Sequence, residues 1–218
     1  KDYTTSVRAE LYLGLSKSTV ELRGIQRSMS PFIITGDSGK GKTNVLRILV
    51  EQARTQGQVF LFDSKNLELY GFKQKERVVY IENDAGLTES IELINSVCIQ
   101  HKAAFEEYVK TKTDITPKQY YEQLDSNYIM VDDMDDLAAK YQMRIKELVS
   151  LFTLAAESGF GIVVTHNSSK PKSFDELCKW FRTSTNGLVV GSQGAAGIYP
   201  VVPVKDTPRT GEGLLYIN

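Results

Sequence analysis

Short unbroken apolar runs alternate along this chain with longer stretches in which apolar residues recur every three or four positions. The runs are Pro31-Phe32-Ile33-Ile34-Thr35, Gln58-Val59-Phe60-Leu61-Phe62-Asp63, Arg77-Val78-Val79-Tyr80-Ile81-Glu82, Tyr128-Ile129-Met130-Val131-Asp132-Asp133, Gly161-Ile162-Val163-Val164-Thr165-His166-Asn167 and Gly187-Leu188-Val189-Val190-Gly191. Each has strand length and is apolar on consecutive positions, as strands covered on both faces must be. Between them the helical period appears: Val45, Leu46, Ile48, Leu49 and Val50 as far as Gly57, then Ile91, Ile94, Val97, Cys98 and His101 in a helix that can extend to Lys112. Leu137, Ile145, Leu148, Leu151, Phe152 and Ala155 read as one further helix, stopped by Gly159. Thr116-Pro117 is a cap with proline at the first helical position, opening a short helix through Tyr120, Tyr121 and Leu124, and Ser173 with Glu176 has the spacing of a capping box. Residues 1–30 alternate weakly and predict a lead-in hairpin at the edge of the sheet. The tail from Ile198 to Asn218 predicts closing antiparallel strands. Strand alternating with helix gives an α/β fold: a mainly parallel central sheet, helices on both faces, an antiparallel edge, and ligand at the carboxyl ends of the strands.

The loop between the first central strand and its helix carries chemistry. Gly36-Asp37-Ser38-Gly39-Lys40-Gly41-Lys42-Thr43 spells the phosphate-binding pattern G-x-x-x-x-G-K-[ST], with Asn44 next in the helix. Glycines at 36, 39 and 41 let backbone N–H groups turn inward around phosphates where a Cβ would collide or forbid the needed φ. Lys42 reaches the β- and γ-phosphates, Thr43 offers its hydroxyl to Mg²⁺, and the helix N-terminus faces the anion. ATP or ADP with Mg²⁺ is the expected ligand, and the structural alternative is a Gly-Lys-rich surface loop.

An apolar strand ending in an acid, later in the chain, supplies the second half of such a site. Asp132 is expected to hold Mg²⁺ opposite Thr43. Asp133 stands where many such ATPases carry the glutamate that polarises water; it is shorter by a methylene, and a base must come within about 2.6–3.2 Å of its proton, so slow hydrolysis is expected. Asp135 and Asp136 read as the acidic start of a helix. Asn167, with Thr165 and His166 beside it, either senses the γ-phosphate and holds the water or is ordinary polar capping of a strand end. His166 as a general base is the weaker reading for a site of this class, and His101, with no acid or second His nearby, reads as packing.

Composition narrows the classes. With 24% charged and 41% hydrophobic residues and a net charge of −1, at a pI near 6.2, the chain resembles an ordinary globular domain and lacks the basic excess of a protein that tracks a phosphate backbone. No run approaches a membrane span or a signal peptide. Its 218 residues suit one large domain, and the absence of an initiating Met suggests a piece of something longer. Cys98 and Cys178 lie in apolar helical patterns without metal-ligand spacing and read as buried thiols.

The order of motifs resembles the FtsK/SpoIIIE family of RecA-like P-loop motor ATPases over nearly the whole chain. Leu61-Phe62-Asp63-Ser64-Lys65-Asn66-Leu67-Glu68-Leu69 is similar to the family's hhhDPKxxEL segment, and Val131-Asp132-Asp133-Met134-Asp135-Asp136-Leu137 to its VDEFADL. Glu147-Leu148 through Ala155-Ala156-Glu157-Ser158-Gly159, the strand to Asn167, and Pro171 look like its xGhHhhhATQRP region, and Gly211-Glu212-Gly213-Leu214-Leu215 like its GxGxML end. Within the family the chain is most similar to the C-terminal ATPase module of the EssC/EccC-type proteins of type VII secretion. The resemblance implies a membrane-anchored protein that forms hexamers, with tandem ATPase modules on the cytosolic side of a bacterial membrane, whose last module binds secreted WXG100-type helical-hairpin proteins through C-terminal signals; no nucleic acid is expected. The rivals are a DNA translocase or conjugation coupling ATPase, and a nucleotide-bound receptor that does not hydrolyse. Gly187 falls where active motors carry the arginine that enters the neighbouring site, with Arg182 the nearest substitute; such a finger is worth on the order of 10³–10⁵ in rate. Tyr120-Tyr121 and Trp180-Phe181 offer either a groove for a substrate helix or core packing.

Overall fold

The computed structural model describes residues 10–112, 115–170, 173–191, 208–209 and 211–217. Seven strands form the central sheet in the order β5-β4-β6-β7-β3-β8-β9. These are β3 (Phe32–Gly36), β4 (Val59–Phe62), β5 (Val78–Tyr80), β6 (Tyr128–Val131), β7 (Gly161–Asn167), β8 (Asn186–Val190) and β9 (Gly213–Tyr216). All pair in parallel except β9, which runs antiparallel along β8 and forms the expected edge. The rest of the tail before β9 lies largely, and Pro171 wholly, outside the described residues.

Two cores sandwich the sheet because successive strand residues face opposite ways. Ile33, Phe60, Phe62, Ile129, Val131, Ile162 and Val164 meet α2 (Asp84–Tyr108), α4 (Met134–Lys140), α5 (Ile145–Glu157) and α6 (Glu176–Phe181) on one face. Phe32, Ile34, Val59, Leu61, Met130 and Val163 meet Leu46, Leu49, Val50 and Ala53 of α1 (Lys42–Gln56) on the other. That double coverage is why the runs read as continuously apolar.

Three local expectations need correction. The lead-in hairpin, β1 (Leu11–Leu15) and β2 (Leu22–Ile25), is not at the edge of the main sheet but a separate two-stranded sheet. It lies on α1, where the Gln52 side chain accepts from the Tyr12 N–H at 2.7 Å and donates to its carbonyl at 2.9 Å. The helix after Asp133 is broken: Tyr141 leaves helical geometry (φ −114°, ψ 37°), and its buried ring packs edge-on to Phe62 before a 3₁₀ turn over Gln142–Arg144. The capping box at Ser173 does not form, because Asp175, nearer the helix and a carboxylate, caps α6 by accepting from Cys178 N–H at 2.7 Å. At α3 (Pro117–Tyr121), by contrast, Thr116 and Gln119 form a complete capping box.

At the amino ends of the strands Arg27, 4% exposed, gathers the chain. Its guanidinium donates to the carbonyls of Glu122, Leu124, Asp125 and Gly159 and pairs with Glu10 at 3.1 Å. His101 accepts the packing role expected of it, with Nδ1 2.8 Å from the Ser158 carbonyl and its ring stacked on Tyr121. Of the aromatic pairs, Tyr121 and Phe181 are buried, while Tyr120 and Trp180 are half-buried, Tyr120 against Phe105 and Tyr108 and Trp180 against Phe152. Both cysteines are buried free thiols.

Candidate nucleotide site

The loop leaving β3 turns into α1 through Gly41, which caps the helix in the left-handed region (φ 93°), and Gly39 lies there too (φ 73°). A side chain would strain both positions. No protein atom stands within 4 Å of where their Cβ would be, so the turn and the open space above it, not packing, reserve them for glycine. Gly36 has a different reason from the one expected. A methyl there would run into the Val190 carbonyl oxygen and stand 3.0 Å from Val190 Cγ2, so Gly36 lets the end of β3 lie against β8.

Lys42 folds over the loop and donates from Nζ to the Asp37 carbonyl at 2.8 Å. Burial lowers its pKa, opposed by the charges of Asp133, Asp132 and Asp37. Thr43 Oγ1 donates to Asp132 Oδ1 at 3.1 Å. Asp132 is buried just past the end of β6, and the same oxygen accepts from Thr165 Oγ1 at 2.9 Å. Thr165 also accepts from the Asp133 N–H at 2.7 Å. Since β7 lies between β3 and β6, Thr165 is the piece that joins the two halves. Its signal in the sequence is a hydroxyl inside an apolar run, two residues before Asn167.

Hydroxyl and carboxylate oxygens are the donors Mg²⁺ favours, and among the described residues no group of three or more His, Cys, Asp or Glu could hold a metal unaided. The fit is therefore to a cation that keeps waters and brings substrate phosphates with it. Asp63, just past the end of β4, adds a further acid nearby: Oδ2 accepts from Tyr80 Oη at 2.6 Å and Leu69 N–H at 3.0 Å, while Oδ1 is buried without a partner. Burial raises its pKa, those hydrogen bonds oppose the rise, and the charge of Asp132 adds to it.

Asp133 is held on both oxygens. As the cap of α4 its Oδ1 accepts from the N–H groups of Asp135 (3.1 Å) and Asp136 (3.2 Å), while Oδ2 pairs with Lys170 Nζ at 2.6 Å. Its backbone is in the left-handed half of φ (64°), where a non-glycine residue is uncommon. Lys170 also reaches Asp136 Oδ1 at 3.2 Å, and Lys65 lies 3.6 Å from that oxygen. Asp135 and Asp136 start the helix as expected.

Around this centre the other expected residues separate. Asn167 pairs in register with Gly36 and accepts from the Ser169 N–H at 3.1 Å. Asp37 is tied to the same segment by Ser168 Oγ (2.7 Å) and Ser169 Oγ (3.1 Å), and the Ser168 bond above all holds its carboxyl below the usual range. Ser38 and Lys40 are exposed, the Lys40 stem lying against Gly191. Asn44 is exposed and turned to Arg47, whose Nη1 donates to it at 2.6 Å. His166 Nδ1 lies 3.1 Å from Thr35 Oγ1 and Nε2 is buried without a partner; burial, then the Arg182 charge, push its pKa down to about 4. Arg182 is directed inward: Nη1 donates to the Ser173 carbonyl and Nε and Nη2 are buried. Gly187 pairs within β8 between β3 and β9.

No family model matches the chain. It is 23% identical over 211 residues to the ESX secretion system protein EccC of Geobacillus thermodenitrificans, which covers 94% of this chain but 14% of that protein. Among solved structures, the cytoplasmic domain of EssC superposes with a TM-score of 0.82 at 20% identity, over 100% of this chain and 43% of the other. EccC ATPases 2 and 3 of Thermomonospora curvata, in complex with a signal sequence peptide, superpose at 0.62 and 17% identity, over 94% and 38%. The chain has the fold of the EssC and EccC ATPase domains, and proteins of ESX, or type VII, secretion are among those it is similar to in both sequence and structure.

Proposed function

We propose that this chain is the nucleotide-binding module of a type VII secretion ATPase, binding MgATP or ADP and hydrolysing slowly. The observation that carries the reading is the Thr43–Asp132 contact at 3.1 Å, which brings the hydroxyl of one motif and the acid of another, far away in sequence, together at the carboxyl ends of the parallel strands β3 and β6, on either side of β7. Lys42 and the loop N–H groups then hold phosphates, and Thr43 and Asp132 hold Mg²⁺, with Thr165 fixing Asp132. When bound, Mg²⁺ neutralises charge on the phosphate oxygens. Slow turnover is supported by the engagement of both Asp133 oxygens and by the inward Arg182.

The rest of the proposal follows the similar proteins. A solved EccC carries a signal sequence peptide, which supports secreted WXG100-type helical-hairpin proteins, taken by C-terminal signals, as partners here. No helix among the described residues is long and apolar enough to cross a membrane; in this reading attachment to the cytosolic membrane face, the other ATPase modules and any hexamer contacts belong to a longer protein. The test is binding of a fluorescent ATP analogue and phosphate release, in Mg²⁺, by the chain and by Lys42→Ala. Tight binding lost in the variant is expected, with turnover near background. Turnover strongly stimulated by DNA would overturn the secretion reading in favour of a translocase, and no binding by the unmodified chain would refute the nucleotide site.

A further inference from the structure

The geometry points to Lys170 as a latch that determines where the Asp133 carboxylate sits and so sets the turnover of the site. This rests on the nucleotide-site reading above and goes beyond it.

Lys170 is in the loop after β7, whereas Asp133 and Asp136 open α4 after β6. Its amine is 2.6 Å from Asp133 Oδ2 and 3.2 Å from Asp136 Oδ1. The pair is partly shielded, with side-chain exposures of 30% for Lys170 and 18% for Asp133, where charge-assisted contacts are stronger and less screened than at an open surface. The other Asp133 oxygen already accepts two backbone N–H groups. A carboxylate can accept about four hydrogen bonds, and three of those positions are taken here, two by the helix start and one by the Lys170 amine, which holds the oxygen that has room for a water. Asp133 directly follows Asp132, whose Oδ1 accepts the Thr43 hydroxyl at 3.1 Å, so the latch borders the site itself.

Two explanations of slow turnover therefore compete. If the missing methylene of Asp133 limits the rate, Lys170 is incidental. If Lys170 limits it, releasing that one oxygen should let the existing aspartate accept a hydrogen bond from water. Lys170 touches neither the reacting atoms nor the phosphates in this account; it is a positioning residue acting through Asp133.

The experiment compares the chain with Lys170→Met, Lys170→Arg and Lys170→Met/Asp133→Asn, measuring the affinity for the fluorescent ATP analogue and single-turnover phosphate release from MgATP. Affinity is expected to stay within a few-fold while Lys170→Met releases phosphate about tenfold faster or more, a fraction of the roughly 10²–10⁴ that a positioned base contributes. Lys170→Arg, which can still pair with Asp133, should rise less, and the double variant should be no faster than the unmodified chain because the gain runs through Asp133. Unchanged or slower release by Lys170→Met with intact binding overturns the latch, as does a gain that survives in the double variant. Failure of the unmodified chain to bind the analogue refutes the underlying nucleotide site instead, and is separated by the binding measurement. Far-ultraviolet circular dichroism on each variant shows whether α4 and the fold persist.

Discussion

Thr165 gives the sharpest test of how the two motifs are joined. Its hydroxyl donates to a buried carboxylate at 2.9 Å and accepts from the Asp133 N–H at 2.7 Å. Thr165→Val preserves shape but removes both bonds. A hydrogen bond to a charged group is worth about 1.5–3 kcal/mol, and an N–H left unpaired costs about 1–3 kcal/mol when buried and less at the half-buried Asp133. Allowing for relaxation and the apolar gain of a second methyl, a net loss of about 3 kcal/mol is expected. For a domain of this size about 1 kcal/mol shifts Tm by roughly 2–4 °C, so Thr165→Val should melt about 6–12 °C lower. Thr165→Ser, which keeps the hydroxyl, should lose much less, the small cavity of one methyl. The assay is thermal unfolding followed by circular dichroism, checked by urea midpoints, with Mg²⁺-dependent analogue binding measured on each variant. Equal melting of Thr165→Val and the unmodified chain, or a larger loss in Thr165→Ser than in Thr165→Val, would refute the account.

Two further outcomes follow from the same region. His166 has its pKa lowered to about 4 in the folded protein against about 6.5 unfolded; the unfolded chain therefore binds the extra proton first, and stability is lost as pH falls from about 6.5 towards 4, by up to about 3 kcal/mol. Urea unfolding at steps through that window should show this slope reduced in His166→Asn, and an identical slope in both proteins would remove the assignment. Gly36→Ala should cost about 1–3 kcal/mol as an overpacked contact against Val190, read as a lower urea midpoint even without nucleotide, whereas a midpoint unchanged by the substitution would mean that the end of β8 yields freely.

The sheet and the phosphate loop were legible in the sequence because each rests on a local signal. Continuous apolar runs require two covered faces, and the spacing of Gly36, Gly39, Gly41, Lys42 and Thr43 can be read without knowing the fold. What could not be read depends on contacts across the chain. The break at Tyr141 occurs because its ring finds Phe62 on β4, and helical periodicity carries no trace of that partner. The cap of α6 went to Asp175 because two acceptors competed within three residues. Asp133 could be placed as an acid after a strand, but its Lys170 partner comes from another loop, so the sequence showed a shorter carboxylate and not an occupied one. Gly187 and Arg182 could be compared with a pattern, yet only the fold shows Arg182 directed inward.

The long reach of Arg27 has a consequence for how this chain is made. Its guanidinium waits for carbonyls 95 to 132 residues later, and β3 pairs with β7 and β8, so that Phe32 meets Val163 and Asn186. During synthesis at about 5–20 residues per second, the phosphate-loop strand is complete many seconds before either sheet neighbour exists. With contacts this distant, folding has to close long loops before it gains much in return. An early, exposed β3 with both edges open is a template for pairing with other chains, so the segment that becomes the nucleotide loop is also the one most in need of protection until the last third of the chain has been made.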